Sequence, residues 1–179
     1  MFKTKNPEVG AMKVRTASVV VLAFLFASAA AAQIKVAGKQ HCPKPLALAT
    51  TEAGDEAGHT MTLEKATCTW LIPFQMVGEK SKEGTFVAFS ERSSTHAATN
   101  GTYVGTMDSG DKFYVRFHWA TLKDRDPGSV KGDWAFTGGT GKLKGITGKG
   151  TYTATENDNG GEVNMEGEYS VPKTDNATK

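Results

Sequence analysis

Long apolar runs, an excess of one charge, and closely spaced cysteine or histidine pairs are all missing from this 179-residue chain. The main apolar stretch runs only from Ala17 to about Ala27, whereas a membrane-spanning helix needs roughly 20 such residues. Nothing later in the chain resembles a span. The two cysteines, Cys42 and Cys68, form no C-x-x-C pair, and His41, His59, His96 and His118 show no H-x-x-x-H spacing. A loose set of His41 and His59 with the two cysteines is the remaining metal alternative. The spacing argues against it, so no metal and no cofactor is expected. There is also no G-x-S-x-G nucleophile elbow. Ser109, within MDSGD, reads as a turn residue. No catalytic residue is assigned on these grounds.

What is present begins with a leader. From Met12 the chain reads MKVRTASVVVLAFLFASAAAAQ. Lys13 and Arg15, then a short apolar core, then small residues before Gln33, match a secretory signal peptide. Residues 1–32 are therefore expected to be removed, with Met12 a plausible true start, and the protein to be secreted or periplasmic. Those residues hold four of the 21 basic and one of the 19 acidic residues, which leaves 17 basic and 18 acidic. The near balance excludes a charge-driven nucleic-acid or anionic-membrane partner. Residues 33–172 then form one domain, and the polar tail 173–179 is expected to be loose. In an oxidising compartment, Cys42 and Cys68 are expected to pair.

The mature segment is rich in Gly, Thr and aromatic residues and carries no long helical pattern, so its class is all-β. The clearest strand is DKFYVRFHWAT at 111–121. Phe113, Val115, Phe117 and Trp119 share one parity, and Tyr114, Arg116 and His118 the other. Such period-2 alternation marks a strand with one buried face. Further strands are expected at 33–38, 59–72, 84–94, 132–137, 149–156 and 162–171, and in TYVGTM after an Asn100-Gly101 hairpin turn. A change of parity within 59–72 suggests a β-bulge near Lys65–Thr67. Loops are expected at 39–58, 73–83 and 123–131. Seven or eight strands on short links suggest a closed up-and-down barrel or a sandwich.

Between two of these strands lies GGTGKLKGITGKGTY, residues 138–152. It is not a P-loop: neither Gly141-Lys142 nor Gly148-Lys149 has a glycine five positions earlier or a Ser/Thr after it. Nor is it a dinucleotide fingerprint, because Gly139, Gly141 and Gly145 have the wrong spacing and no helix follows. It reads as a glycine-punctuated bend with Leu143 and Ile146 as apolar anchors. Gly138 and Gly139 are expected to form a turn after a strand ending at Phe136. Both anchors can face the core only if the chain kinks between them.

This stretch, with Trp134-Ala135-Phe136 before it and Gly138, Gly139, Thr140, Gly141, Gly145, Gly148 and Gly150 within it, resembles the barrel proteins grouped around plant allene oxide cyclases and dirigent proteins. The resemblance is specific over about fifteen residues. It implies an eight-stranded antiparallel β-barrel, calycin-like and similar in shape to lipocalins. Plant members work on hydrophobic small molecules, by cyclisation or by orienting radicals. No pocket residue of those proteins maps onto a position here, so their activity is not transferred.

The large aromatic set suggests either a filled core or an apolar cavity open at one end, and eight-stranded barrels do both. A filled or nearly filled interior is the expectation. A small hydrophobic ligand would meet Phe113, Val115, Phe117, Trp119, Trp134 and Phe136. The leading reading is therefore a non-catalytic barrel that binds such a molecule or serves as a scaffold. One alternative is an isomerase or cyclase, which an inward Glu or His in an open cavity would favour; Glu64 and Glu91 are the acids within otherwise apolar strands. Another is a protein-binding module using the three loops, which an exposed apolar patch on a closed barrel would favour. His118 is expected to face solvent with Arg116.

Overall fold

A computed structural model describes residues 33–122, 129–157 and 159–172. Among them are ten strands: β1 (Ile34–Cys42), β2 (Leu46–Glu52), β3 (Thr60–Ile72), β4 (Gln75–Met76), β5 (Glu79–Arg92), β6 (His96–Met107), β7 (Lys112–Leu122), β8 (Ser129–Gly139), β9 (Thr147–Asn157) and β10 (Gly160–Ser170). A 3-10 turn occupies Gly141–Leu143. The expected leader and tail lie outside the described residues.

Eight of these strands close an antiparallel barrel in the order β1-β10-β9-β8-β7-β6-β5-β3, and β3 returns to β1. From β5 to β10 each strand pairs with the next in sequence, as period-2 strands on short links should. The seam at β3 is different. β1 pairs with its C-terminal part, through Lys39, Gln40 and His41, and β2 with its N-terminal part, from Thr60 to Lys65. β1 and β2 thus behave as one strand interrupted at Pro43-Lys44-Pro45, where two residues lack the N–H that a ladder requires.

Alternation places Phe113, Val115, Phe117 and Trp119 of β7 towards the barrel axis, while Arg116 and His118 face solvent. The inner wall accommodates such rings by placing glycine beside them. Gly105 is the cross-strand partner of Phe113, Gly101 of Phe117 and Gly132 of Tyr152. A Cβ at any of the three would overlap the ring. This explains why Asn100-Gly101 is not the expected hairpin turn. It lies in the middle of β6, where Gly101 makes room for Phe117 and local turn chemistry yields to packing.

Several other expectations are corrected. Residues 39–58 are not one long loop, since β1 runs on to Cys42 and β2 fills Leu46–Glu52. No bulge interrupts β3 opposite β5, where the register is continuous from Thr60 to Thr69. Met61 and Leu63 simply share the outward parity, and the irregularity sits on β2 between Ala47 and Ala49. The 73–83 segment contains β4 and the start of β5. In the 123–131 turn, residues 129–131 belong to β8, and 123–128 lie outside the described residues.

One end of the barrel is plugged. The β3–β5 connection inserts Phe74 and Met76, and the β8–β9 connection inserts Leu143 and Ile146; all four are essentially inaccessible. Phe74 packs against Trp70, Phe113 and Trp134, with ring centroids 4.6, 6.4 and 6.0 Å away. Its backbone is tied to Ser81, which accepts from the Phe74 N–H through Oγ (2.8 Å) and donates its own N–H to the Phe74 carbonyl (3.0 Å).

The glycine stretch forms the other half of the plug. β8 continues past Phe136 to Gly139, with a register shift at Thr137 opposite Tyr114 and Val115, so the expected turn at Gly138-Gly139 is strand. Thr140 then locks onto β7: its N–H donates to the Lys112 carbonyl and its Oγ1 accepts the Lys112 N–H, each at 2.8 Å. Gly141 sits at φ +50° against the Asp111 carboxylate, where a side chain would collide. The 3-10 turn is the kink that lets Leu143 and Ile146 both point inward. Lys142 stays outside, paired with Glu79 at 2.6 Å, and this contact holds the Glu79 carboxyl below its usual range.

Candidate functional site

The opposite end is open. The mouth is built by the C-terminal ends of β1, β5, β7 and β9 and the N-terminal ends of β3, β6, β8 and β10. Behind it lies a cavity of about 530 Å³. Its walls carry Phe86, Val115, Phe117, Trp119, Ala154 and Val163. A volume of this size suits a small organic molecule, since ligand sites usually occupy roughly 300–1,000 Å³.

The six residues expected at a ligand site therefore divide by height. Val115, Phe117 and Trp119 line the cavity. Phe113, Trp134 and Phe136 are buried in the filled half, with the plug. Strand direction explains the division. β7 enters at the plug and leaves at the mouth, so its inward row passes from buried Phe113 to Trp119 at the opening. β8 runs the other way, so Val130 is at the cavity while Trp134 and Phe136 lie deep. Period-2 alternation reports which face a residue occupies but not how far along the barrel axis it sits. The expectation of a filled interior holds for one half of the barrel only.

A few polar groups interrupt the apolar wall. Glu64 points inward from β3, and its Oε1 accepts the Ser90 hydroxyl at 2.6 Å. Ser90 Oγ also contacts Thr99 Oγ1 at 2.8 Å. Ser90 and Thr99 are buried, so this chain of oxygens is satisfied internally. Lower down, Tyr103 donates to Gln40 Oε1 at 3.1 Å. Tyr152 is 7% exposed and its hydroxyl has no partner among the described residues. Burial pushes both phenols well above the ordinary tyrosine value, so each remains a neutral O–H donor. Arg92 lies at the rim. Glu64 makes no ion pair among the described residues and is an inward carboxylate on the wall of an open cavity.

Cys42 and Cys68 are joined in a disulfide at the edge of this cavity, with Cα atoms 4.2 Å apart. No helix among the described residues is long and apolar enough to cross a membrane.

The outer wall bears a different feature. Leu63, Val87, Phe89 and Val104 are 38–44% exposed on β3, β5 and β6. The first three border a broad depression of about 940 Å³ with Arg116, His118, Asp133 and Lys149. His118 is exposed there, in the solvent-facing row expected for it. Of the three segments expected as loops, the one at 73–78 turns its apolar residues Phe74 and Met76 into the plug, and residues 123–128 lie outside the described residues.

Glu91, the second acid within an apolar strand, has the outward parity of β5, opposite to that of Ser90, and lies near the rim. It sits between His59 and His96, with its Oε1 at 3.0 and 3.2 Å from their Nε2 atoms. Sequence spacing did not mark this trio, because His59 reaches Glu91 only through the β3–β5 pairing. Comparison with protein-family models finds no match for this chain, and comparison with curated proteins finds none either.

Proposed function

We propose that the chain is an exported barrel that binds a small, mainly apolar molecule in its open half. The observation that carries this reading is the cavity of about 530 Å³, closed at one end by Phe74, Met76, Leu143 and Ile146 and walled mostly by apolar side chains. Glu64, Lys44, Arg92 and the Tyr152 hydroxyl, which has no partner among the described residues, are polar groups on the wall that would orient the molecule. The leader-like segment from Met12 and the disulfide support export. The barrel topology and the glycine stretch, with its buried anchors Leu143 and Ile146, support the likeness to the allene oxide cyclase and dirigent group.

An apolar fluorescent dye should bind saturably with one site per chain. Ala154→Trp, which fills the cavity from β9, should weaken that binding at least about tenfold, the effect of losing about 1.4 kcal/mol, while the far-UV spectrum stays that of a β-barrel. Absence of saturable binding by the wild-type protein, together with no small molecule carried through purification from its source, would overturn the reading.

Glu64 favours a second reading, in which the held molecule is isomerised or cyclised with this carboxylate as the acid–base group. Glu64→Gln separates the two. Retained affinity with lost product formation supports catalysis. If the wild-type protein returns a panel of bound apolar molecules unaltered, the carrier reading stands alone.

A further inference from the structure

The geometry points to a binding site for one divalent ion of the zinc type at the rim of the mouth, held by His59, Glu91 and His96. His59 immediately precedes β3, Glu91 lies near the end of β5, and His96 begins β6. Their nearest ligand atoms all lie within 4.8 Å of one another. Tetrahedral zinc, with bonds of about 2.0–2.1 Å, needs about 3.3 Å between neighbouring ligand atoms. The Glu91 Oε1 separations of 3.0 and 3.2 Å are already close to that edge length. A modest convergence of the two rings, whose centroids are 5.9 Å apart, completes the triangle.

The outer partners argue for a metal more strongly than the trio alone. Each imidazole has its second nitrogen committed to an oxygen: His59 Nδ1 to Asp55 Oδ1 at 2.6 Å, and His96 Nδ1 to Ser93 Oγ at 2.8 Å. Metal-binding histidines characteristically hold the far nitrogen this way, which fixes the ring and directs the Nε2 lone pair at the ion. Both Nε2 atoms here converge on the same carboxylate oxygen.

The supporting loops are tied together independently of any ion. Ser94 donates its N–H to Glu56 Oε1 at 3.2 Å, linking the β5–β6 turn to the β2–β3 connection. His59 is nearly buried, while His96 and Glu91 are about one-third exposed. The site therefore has a firm inner wall and an open outer side, with room for a water or an external group as fourth ligand. Two imidazoles and one carboxylate select zinc, cobalt, nickel or copper over calcium or magnesium, which prefer all-oxygen shells.

The test uses the whole protein after chelator treatment and dialysis. Zinc titrated by calorimetry, and cobalt(II) followed by its visible absorption, should each give one ion per chain, with the intense bands of a four-coordinate cobalt centre. His96→Gln should weaken zinc binding by about 100-fold or more, and Asp55→Asn by about 10–100-fold through ring orientation alone. His118→Gln, on the outer wall, should leave it unchanged. Zinc should also raise the melting temperature of the wild-type protein and not that of His96→Gln. If His59→Gln fails to fold, the more exposed His96 decides the matter. No stoichiometric binding at micromolar zinc, or binding that survives His96→Gln unaltered, would overturn the inference.

Discussion

Phe74→Ala should lower the unfolding free energy by about 3–5 kcal/mol, the usual cost of deleting a fully buried ring. For a domain of this size that corresponds to a fall of about 6–20 °C in melting temperature. The effect is large because Phe74 is fully inaccessible and its ring touches three others, Trp70, Phe113 and Trp134. Neighbours cannot collapse into the space, since the barrel wall around it is held by strand pairing. Gly38, whose missing Cβ already lies against the Phe74 ring, offers no side chain to fill it. Phe74 lines no part of the open cavity, so dye affinity of the folded variant should stay within about twofold of wild type. Trp119→Ala should show the converse, a loss of affinity of about tenfold or more with a smaller loss of stability, because its ring is only partly buried and lines the cavity. Urea unfolding and dye titration of the two variants measure both quantities. A Phe74→Ala midpoint within 1 kcal/mol of wild type would show that the plug does not carry the fold.

This division between a plugged end and an open end was only partly legible in the sequence. The alternation in residues 111–121 identified the inward face of β7 because Phe113, Val115, Phe117 and Trp119 sit every second position. Leu143 and Ile146 could be seen as anchors in the glycine stretch, since two apolar residues in an otherwise polar bend need burial. Phe74 and Met76 were hidden by Pro73, Gly78 and the charges that follow, which suggested one loop where β4 and the start of β5 lie and said nothing of where its apolar residues go. β2 was invisible because every one of its residues is exposed, so it has no apolar period to read. The His59–Glu91–His96 trio was hidden for a topological reason: Glu91 meets His59 across 32 positions, a proximity that exists only after β3 and β5 align.

Replacing both cysteines, as Cys42→Ala with Cys68→Ala, should cost about 3 kcal/mol, the loop-closure value for a crosslink spanning some 26 residues. That corresponds to a fall of about 6–12 °C in melting temperature. The position of the bond makes the local effect sharper than the global figure. β1 pairs along its whole length with β10 but meets β3 only through Lys39, Gln40 and His41, and even these are split by a register shift. The β1–β3 seam is thus the weakest closure in the barrel, and the disulfide sits directly beside it, next to the Pro43-Lys44-Pro45 interruption. Without the bond, opening of this seam should become the lowest-energy fluctuation. Amide exchange at Ile72 and Thr69 of β3 should then accelerate before that of β6 or β7. Opening would also expose two unpaired strand edges, so the reduced protein should aggregate at a lower temperature than the oxidised one. Urea unfolding with and without reductant, followed by hydrogen exchange, measures each step. Equal midpoints in the two conditions would mean that strand pairing alone holds the seam, and that the crosslink contributes nothing to closing the barrel.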